Sequence, residues 1–133
     1  MTKQTLPELS ATEWILMKKV WELGKTSARE VYEELLPTQG WAFSTVRTML
    51  ERLCEKGYLE DKKVGNMYFY LPRATRKKTA LTALDRFVDK VFDGAIGPLF
   101  THLLSQDKLT PADLAEIRKL IEKEGGDQEE KEG

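Results

Sequence analysis

A chain of 133 residues has room for one domain, or for one small domain with an appendage, and too little for a catalytic cleft between two large lobes. Its one cysteine, Cys54, and one histidine, His102, rule out an internal disulfide and a structural zinc site, and no apolar run reaches the ~18 residues of a membrane span. The net charge of −1 hides an uneven distribution: residues 1–43 carry −1, residues 44–90 carry +5 and residues 91–133 carry −5.

A basic middle beside an acidic end suits a polyanion contact confined to the middle, because charge attraction in salt reaches only ~8–10 Å. Unequal solvated surface is the plain alternative. The opening "MTKQTLPELS" lacks the apolar core of a secretory signal, so the expectation is a cytoplasmic protein, with no membrane segment, cofactor or metal.

In chain order, "LSATEW" announces a first helix: Ser10 is its N-cap, Glu13 the capping-box partner, Leu9 and Trp14 a hydrophobic staple, and Gly24 the stop after Leu23. "TSAREVYEELLP" repeats the grammar, with Ser27 and Glu30 as a second capping box and Pro37 ending the helix. A third helix is predicted from Ser44 to Lys56, stopped by Gly57. Val46, Met49, Leu50 and Leu53 fall at i, i+3, i+4 and i+7, a single buried stripe. The opposite face then carries Ser44, Thr45, Arg47, Thr48, Glu51 and Arg52. "YLEDKKV" and "MYFYL" read as two strands around Gly65-Asn66, a pair suited to a tight hairpin turn.

Pro72 and the basic cluster Arg73, Arg76, Lys77 and Lys78 mark a hinge at 72–75. Three further helices follow, one marked by Leu81, Leu84, Phe87, Val88 and Val91, one by Ile96, Leu99, Phe100, Leu103 and Leu104, and one opened by Thr110-Pro111-Ala112-Asp113 as N-cap, N1 proline and acidic first turn. Across them Leu84, Val88, Val91, Phe92, Leu99, Phe100, Leu103, Leu104, Leu114, Ile117 and Leu120 hold more apolar surface than so short a segment buries alone, which calls for a twin copy. "GGDQEEKEG" reads as a polar, disordered tail.

The fold class is therefore mainly α with a small β wing (α+β): a winged helix-turn-helix over 1–72, a helical dimerisation region over 73–124 and a tail over 125–133. In that arrangement the third helix can enter a major groove. Thr45 and Thr48 are short donors that can reach phosphates or a thymine methyl near the helix N-terminus, and Arg47 and Arg52 can reach guanine edges or phosphates. Lys62, Lys63 and Asn66 belong to the wing. The competing reading is a solvated helix face whose arginine and lysine are neutralised locally by Glu51 and Glu55. Trp14, Trp21, Trp41, Tyr68 and Tyr70 read as core or wing packing, Cys54 as a small packing residue beside the stripe with a redox switch as alternative, and His102 as a helix-face residue.

"LSATEWILMKKVW", "GWAFSTVRTMLERLCEKGYLE", "MYFYLP", "FVDKVFDGAIGPL" and "LTPADLAEIRKLI" together resemble the penicillinase-repressor family of BlaI, MecI and CopY, in order and spacing over nearly the whole chain. The resemblance implies a homodimeric winged-helix repressor on a palindromic double-stranded DNA operator. It carries Ser44, Thr45, Arg47, Thr48 and Arg52 into the operator-reading helix. The family often has a basic residue beside the wing glycine; here Asn66 stands there, and Lys62 and Lys63 take its part. The cysteine-containing motif of copper-responsive members is missing from "EKEGGDQEEKEG", which speaks against direct copper or zinc sensing. Antibiotic-responsive members are induced by cleavage in the dimerisation region through a sensor-linked protease, and the matching position falls near His102-Leu103. A winged-helix protein-interaction module without DNA is the rival function. No nucleophile–base pair, paired carboxylates or phosphate-binding glycine loop can be assembled, so no enzyme is expected.

Overall fold

The structure, a computed structural model, describes the backbone of residues 5–132 and the side chains of residues 5–123. The elements run α1 (Ala11–Leu23), β1 (Thr26–Ser27), α2 (Ala28–Gln39), α3 (Phe43–Lys56), β2 (Leu59–Val64), β3 (Met67–Pro72), α4 (Arg76–Phe92), α5 (Gly97–Ser105) and α6 (Pro111–Glu132). The chain divides into two compact units, residues 1–85 and 86–133. That division falls inside α4, beyond the 72–75 hinge read from the sequence. The segment leading into α4 is held within the first unit: Trp21 Nε1 donates to the Ala74 carbonyl at 2.9 Å, and the Arg73 amide donates to the Tyr58 carbonyl at 2.8 Å.

The first unit is a three-helix core with a three-stranded antiparallel sheet in the order β1-β3-β2. Its centre is built from Leu16, Met17 and Val20 of α1, Val31 and Leu35 of α2, and Val46, Leu50 and Leu53 of α3, with Tyr58, Leu59 and Tyr70 closing the sheet side. Each such side chain withdrawn from water contributes ~1.5–3 kcal/mol. β1 is two residues long and carries no alternation, so its pattern gave no warning of it. It exists through its partner, Thr26 facing Tyr70 and Ser27 facing Phe69 across the ladder to β3. Gly65 and Asn66 join Val64 to Met67 with positive φ at Gly65 alone, the arrangement of a type II′ hairpin turn.

Two local expectations are corrected. Pro37 does not end α2, which continues to Gln39 and stops at left-handed Gly40, whose amide donates to the Leu36 carbonyl at 3.0 Å. Glu33 would have received the missing proline N–H, and both residues are exposed, so solvent can satisfy its carbonyl. The second capping box is half formed. The Glu30 amide donates to Ser27 Oγ at 3.2 Å, but the Glu30 carboxylate instead accepts the hydroxyl of buried Thr26.

The first capping box is complete and does more than cap. Ser10 N donates to Glu13 Oε1 at 2.8 Å, Lys56 Nζ donates to the same oxygen at 2.7 Å, and Lys56 also reaches the Glu8 carbonyl at 3.1 Å. The last residue of α3 is thereby bound to the first turn of α1. Burial alone would raise the Glu13 pKa; the bonds from Lys56 and Ser10 and the Lys56 charge outweigh it and hold the carboxyl below its usual 4.5.

In the C-terminal unit Thr110 and Asp113 cap α6 reciprocally, with the Asp113 amide on Thr110 Oγ1 at 3.1 Å and the Thr110 amide on Asp113 Oδ2 at 3.0 Å. Helical backbone continues to Glu132 through the stretch read as a disordered tail, whose side chains lie outside the described residues. Of the eleven apolar positions assigned to dimerisation, Val88 alone is buried. Phe92, Leu99, Leu103 and Ile117 are half-buried, and Leu84, Val91, Phe100, Leu104, Leu114 and Leu120 are exposed.

Lys56→Met should cost ~1–3 kcal/mol, because it leaves a buried carboxylate without its cation. A lower urea midpoint at unchanged slope is the expected reading. Glu13 has a depressed folded pKa, so its contribution is full above pH 4.5 and lost as pH falls through the folded value. The gap between wild type and variant should therefore be widest at neutral pH and narrow in acid. A gap that is constant or grows as pH falls would contradict this role.

Candidate nucleic-acid interface

α3 is amphipathic along its whole length. Val46, Leu50 and Leu53 are fully buried and Met49 is half-buried, which leaves Ser44, Thr45, Arg47, Thr48, Glu51 and Arg52 exposed together on the far side. The helix begins after Ala42, which supplies no side-chain cap, and its first turn has no acidic residue. Positive potential at that end is left without a local carboxylate, the electrostatic condition under which helix amides favour phosphate.

Local pairing does not neutralise the face in the way the spacing allowed. Glu51 lies toward Arg47, Nε to Oε1 3.6 Å, with both side chains exposed, a pair of little energetic weight. Lys56 is engaged by Glu13 instead of Glu55. Arg52 has no carboxylate within ion-pair distance among the described residues. Arg47 is therefore lightly held and Arg52 extends into solvent.

The wing supplies a second set. Lys62 and Lys63 are exposed on β2, Lys62 lies 4.0 Å from Glu60, and the Lys63 ammonium stands 5.7 Å from the Tyr68 ring centre. Asn66 is exposed at the turn. Tyr70 is buried, in line with its reading as packing, whereas Tyr68 is exposed under Lys63. Val64 and Met67 flank the turn, paired across the strands and both exposed, so apolar surface surrounds Asn66 at the wing tip.

Two further cations went unnoticed in the sequence. Lys25 covers the Phe69 ring at 4.9 Å, and Arg29 stands 4.9 Å from the Phe43 ring centre and 5.6 Å from that of Tyr32. A basic residue in the first turn of α2 runs against the helix dipole, which was a readable signal for Arg29. Its ring partner on α3 was not readable.

Cys54 is half-buried beside the stripe. Burial first, and then the charges of Asp61, Glu51 and Glu55, push its thiol up to about 11, so it is protonated and a poor nucleophile at neutral pH. Among the described residues no group of three His, Cys, Asp or Glu side chains could hold a metal ion, and no helix is long and apolar enough to cross a membrane. His102 is exposed and Leu103 half-buried on α5.

Residues 9–123 match the family described as penicillinase repressor. A penicillinase repressor of Bacillus licheniformis is 27% identical over 117 residues, covering 88% of this chain and 91% of that protein. The methicillin resistance regulatory protein MecI of Mammaliicoccus sciuri is 26% identical over 116 residues, covering 87% of this chain and 94% of its own. Among solved structures, the DNA-binding domain of the repressor BlaI is similar at 34% identity with a TM-score of 0.50, over 56% of this chain and 90% of that one. A match that runs from the first helix cap into α6 means that this chain belongs to the penicillinase repressor family.

Proposed function

We propose that the protein is a transcriptional repressor that binds a palindromic duplex operator as a homodimer, with α3 in the major groove and the β2–β3 wing against the flanking backbone. The observation that carries this reading is the exposed face of α3: hydroxyls at Ser44, Thr45 and Thr48, guanidinium groups at Arg47 and Arg52, and no apolar anchor among them. A protein-binding face would centre on apolar or aromatic anchors. The similar BlaI domain is a DNA-binding domain by description, and MecI is a regulatory protein.

In this reading Arg52 reads a guanine edge, Thr45 and Thr48 bond phosphate or touch a thymine methyl, and Lys62, Lys63 and Asn66 follow the wing-side backbone. The second copy comes in through the helical region 73–124, where Leu84, Val91, Phe100, Leu104, Leu114 and Leu120 are all exposed within one chain. An isologous pairing of these faces removes them from water and gives the protein the two-fold symmetry of a palindrome. Release by a sensor-linked protease at His102-Leu103 fits the same scheme. The bond lies inside α5, nine residues long, which must unwind locally to be cut.

Selection from a pool of random duplexes should recover a dyad-symmetric motif with half-site centres ~10 bp apart or a multiple of that. Retention of no symmetric motif would sink the repressor reading. On the recovered duplex, Arg52→Ala should cost ~1–3 kcal/mol and relax one base position, while Lys63→Ala should weaken all sequences alike and lower the salt slope by ~1. Identical behaviour of the two variants would refute that division. Leu103→Asp should sediment as a monomer with the first unit still folded, and should lose the ~10²–10⁴ of avidity that linking two half-sites supplies. A stable dimer, or a monomer with undiminished affinity, would overturn the assignment of 73–124 as the interface.

A further inference from the structure

The first turn of α2 carries a cation that the fold orients and does not neutralise. Arg29 is exposed, yet its guanidinium carbon lies over two rings, 4.9 Å from the centre of Phe43 and 5.6 Å from that of Tyr32. Those rings brace each other edge to face, with centroids 5.6 Å apart and planes at 89°. No carboxylate lies within ion-pair distance of Arg29 among the described residues. Its nearest acidic neighbour in sequence, Glu30, is engaged by the Thr26 hydroxyl.

Helix electrostatics do not account for this position, since a positive charge in a first turn opposes the macrodipole. Its location is informative. Phe43 is the first residue of α3 and is followed directly by Ser44 and Thr45, so Arg29 stands at the corner where the exposed face of α3 begins. A guanidinium held over ring faces keeps N–H groups turned away from them, available for paired bonds to a planar or tetrahedral oxyanion. The ring contact also removes rotamer freedom in advance, so less entropy is lost when that anion arrives.

We infer that Arg29 is a backbone-phosphate clamp, preset by the Tyr32–Phe43 ring pair, that seats the N-terminal end of α3 against duplex DNA. The inference rests on the reading of α3 as the DNA face and adds to it a contact from a different helix. The plain alternative is that the Arg29 stem only shields the two rings from water. The two differ in what they do to salt dependence: a phosphate clamp releases counterions, and a ring cover does not.

The test uses the full chain, titrated at several salt concentrations with the dyad duplex recovered by selection and, in parallel, with a mixed-sequence duplex of equal length. Arg29→Ala should lower the salt slope by ~0.9 for each bound protomer and weaken both duplexes by about tenfold or more. Arg29→Lys should keep the slope, with affinity between the two. Phe43→Leu, which leaves the charge count intact, should weaken binding several-fold, on the order of a lost cation–π contact, and Phe43→Tyr should restore it. Arg29→Ala with wild-type affinity and slope overturns the proposal. So does a loss confined to one base pair of the selected duplex, or an effect confined to thermal melting. If the wild-type chain holds neither duplex, the DNA reading itself fails, an outcome distinct from wild-type binding that Arg29→Ala leaves unchanged.

Discussion

α3 can offer a whole polar face to a ligand only because its other face is withdrawn completely from water. Val46, Leu50 and Leu53 have no exposed surface, and they meet side chains from α1 and α2 at the centre of the first unit. Three fully buried side chains at helical spacing fix the rotation of α3 about its axis, because turning it would bring apolar surface into water and guanidinium groups into the core. The Glu13–Lys56 contact adds what packing alone leaves loose, a polar tie from the end of α3 to the capped start of α1. Rotation and axial position are then both set. A reading face needs this rigidity, since hydrogen bonds to base edges tolerate little displacement.

Around that constraint the rest of the first unit is auxiliary. The short strand β1 attaches the wing to the segment between α1 and α2 and carries Lys25 onto Phe69. The hairpin projects Lys62, Lys63 and an apolar tip beyond the core. The basic excess over residues 44–90 falls mostly on Arg73, Arg76, Lys77 and Lys78 just after the wing, with α3 and the hairpin carrying a small positive balance, and the acidic excess lies in the second unit. A protein with almost no net charge can hold a polyanion on this basis, because attraction acts through the local field and is screened over ~8–10 Å.

What could be read from the sequence was local in origin. Ser10 with Glu13, the α3 stripe, Gly57 as a stop, Gly65-Asn66 as a turn and Thr110 with Asp113 each depend on residues a few positions apart, and the structure has each of them. The exposed set on α3 was legible for the same reason, as the complement of its stripe. What escaped notice depends on distant partners: β1 exists through β3, Glu30 turned from its capping box to Thr26, and Lys56 went to Glu13 instead of a neighbour on its own helix. Arg29 belongs with these, since it acquires meaning only when Phe43 is brought beside it.

The central claim is that the side of α3 opposite its buried stripe, together with the wing, is the surface that meets DNA. The most direct measurement is the two-dimensional amide spectrum of the labelled full chain as a mixed-sequence duplex is added. The account predicts that the signals of Ser44, Thr45, Thr48 and Arg52 and those of Lys62 to Met67 move together, while those of Leu16, Met17 and Val31 hold still. Binding that leaves the α3 signals in place and moves another surface would contradict it.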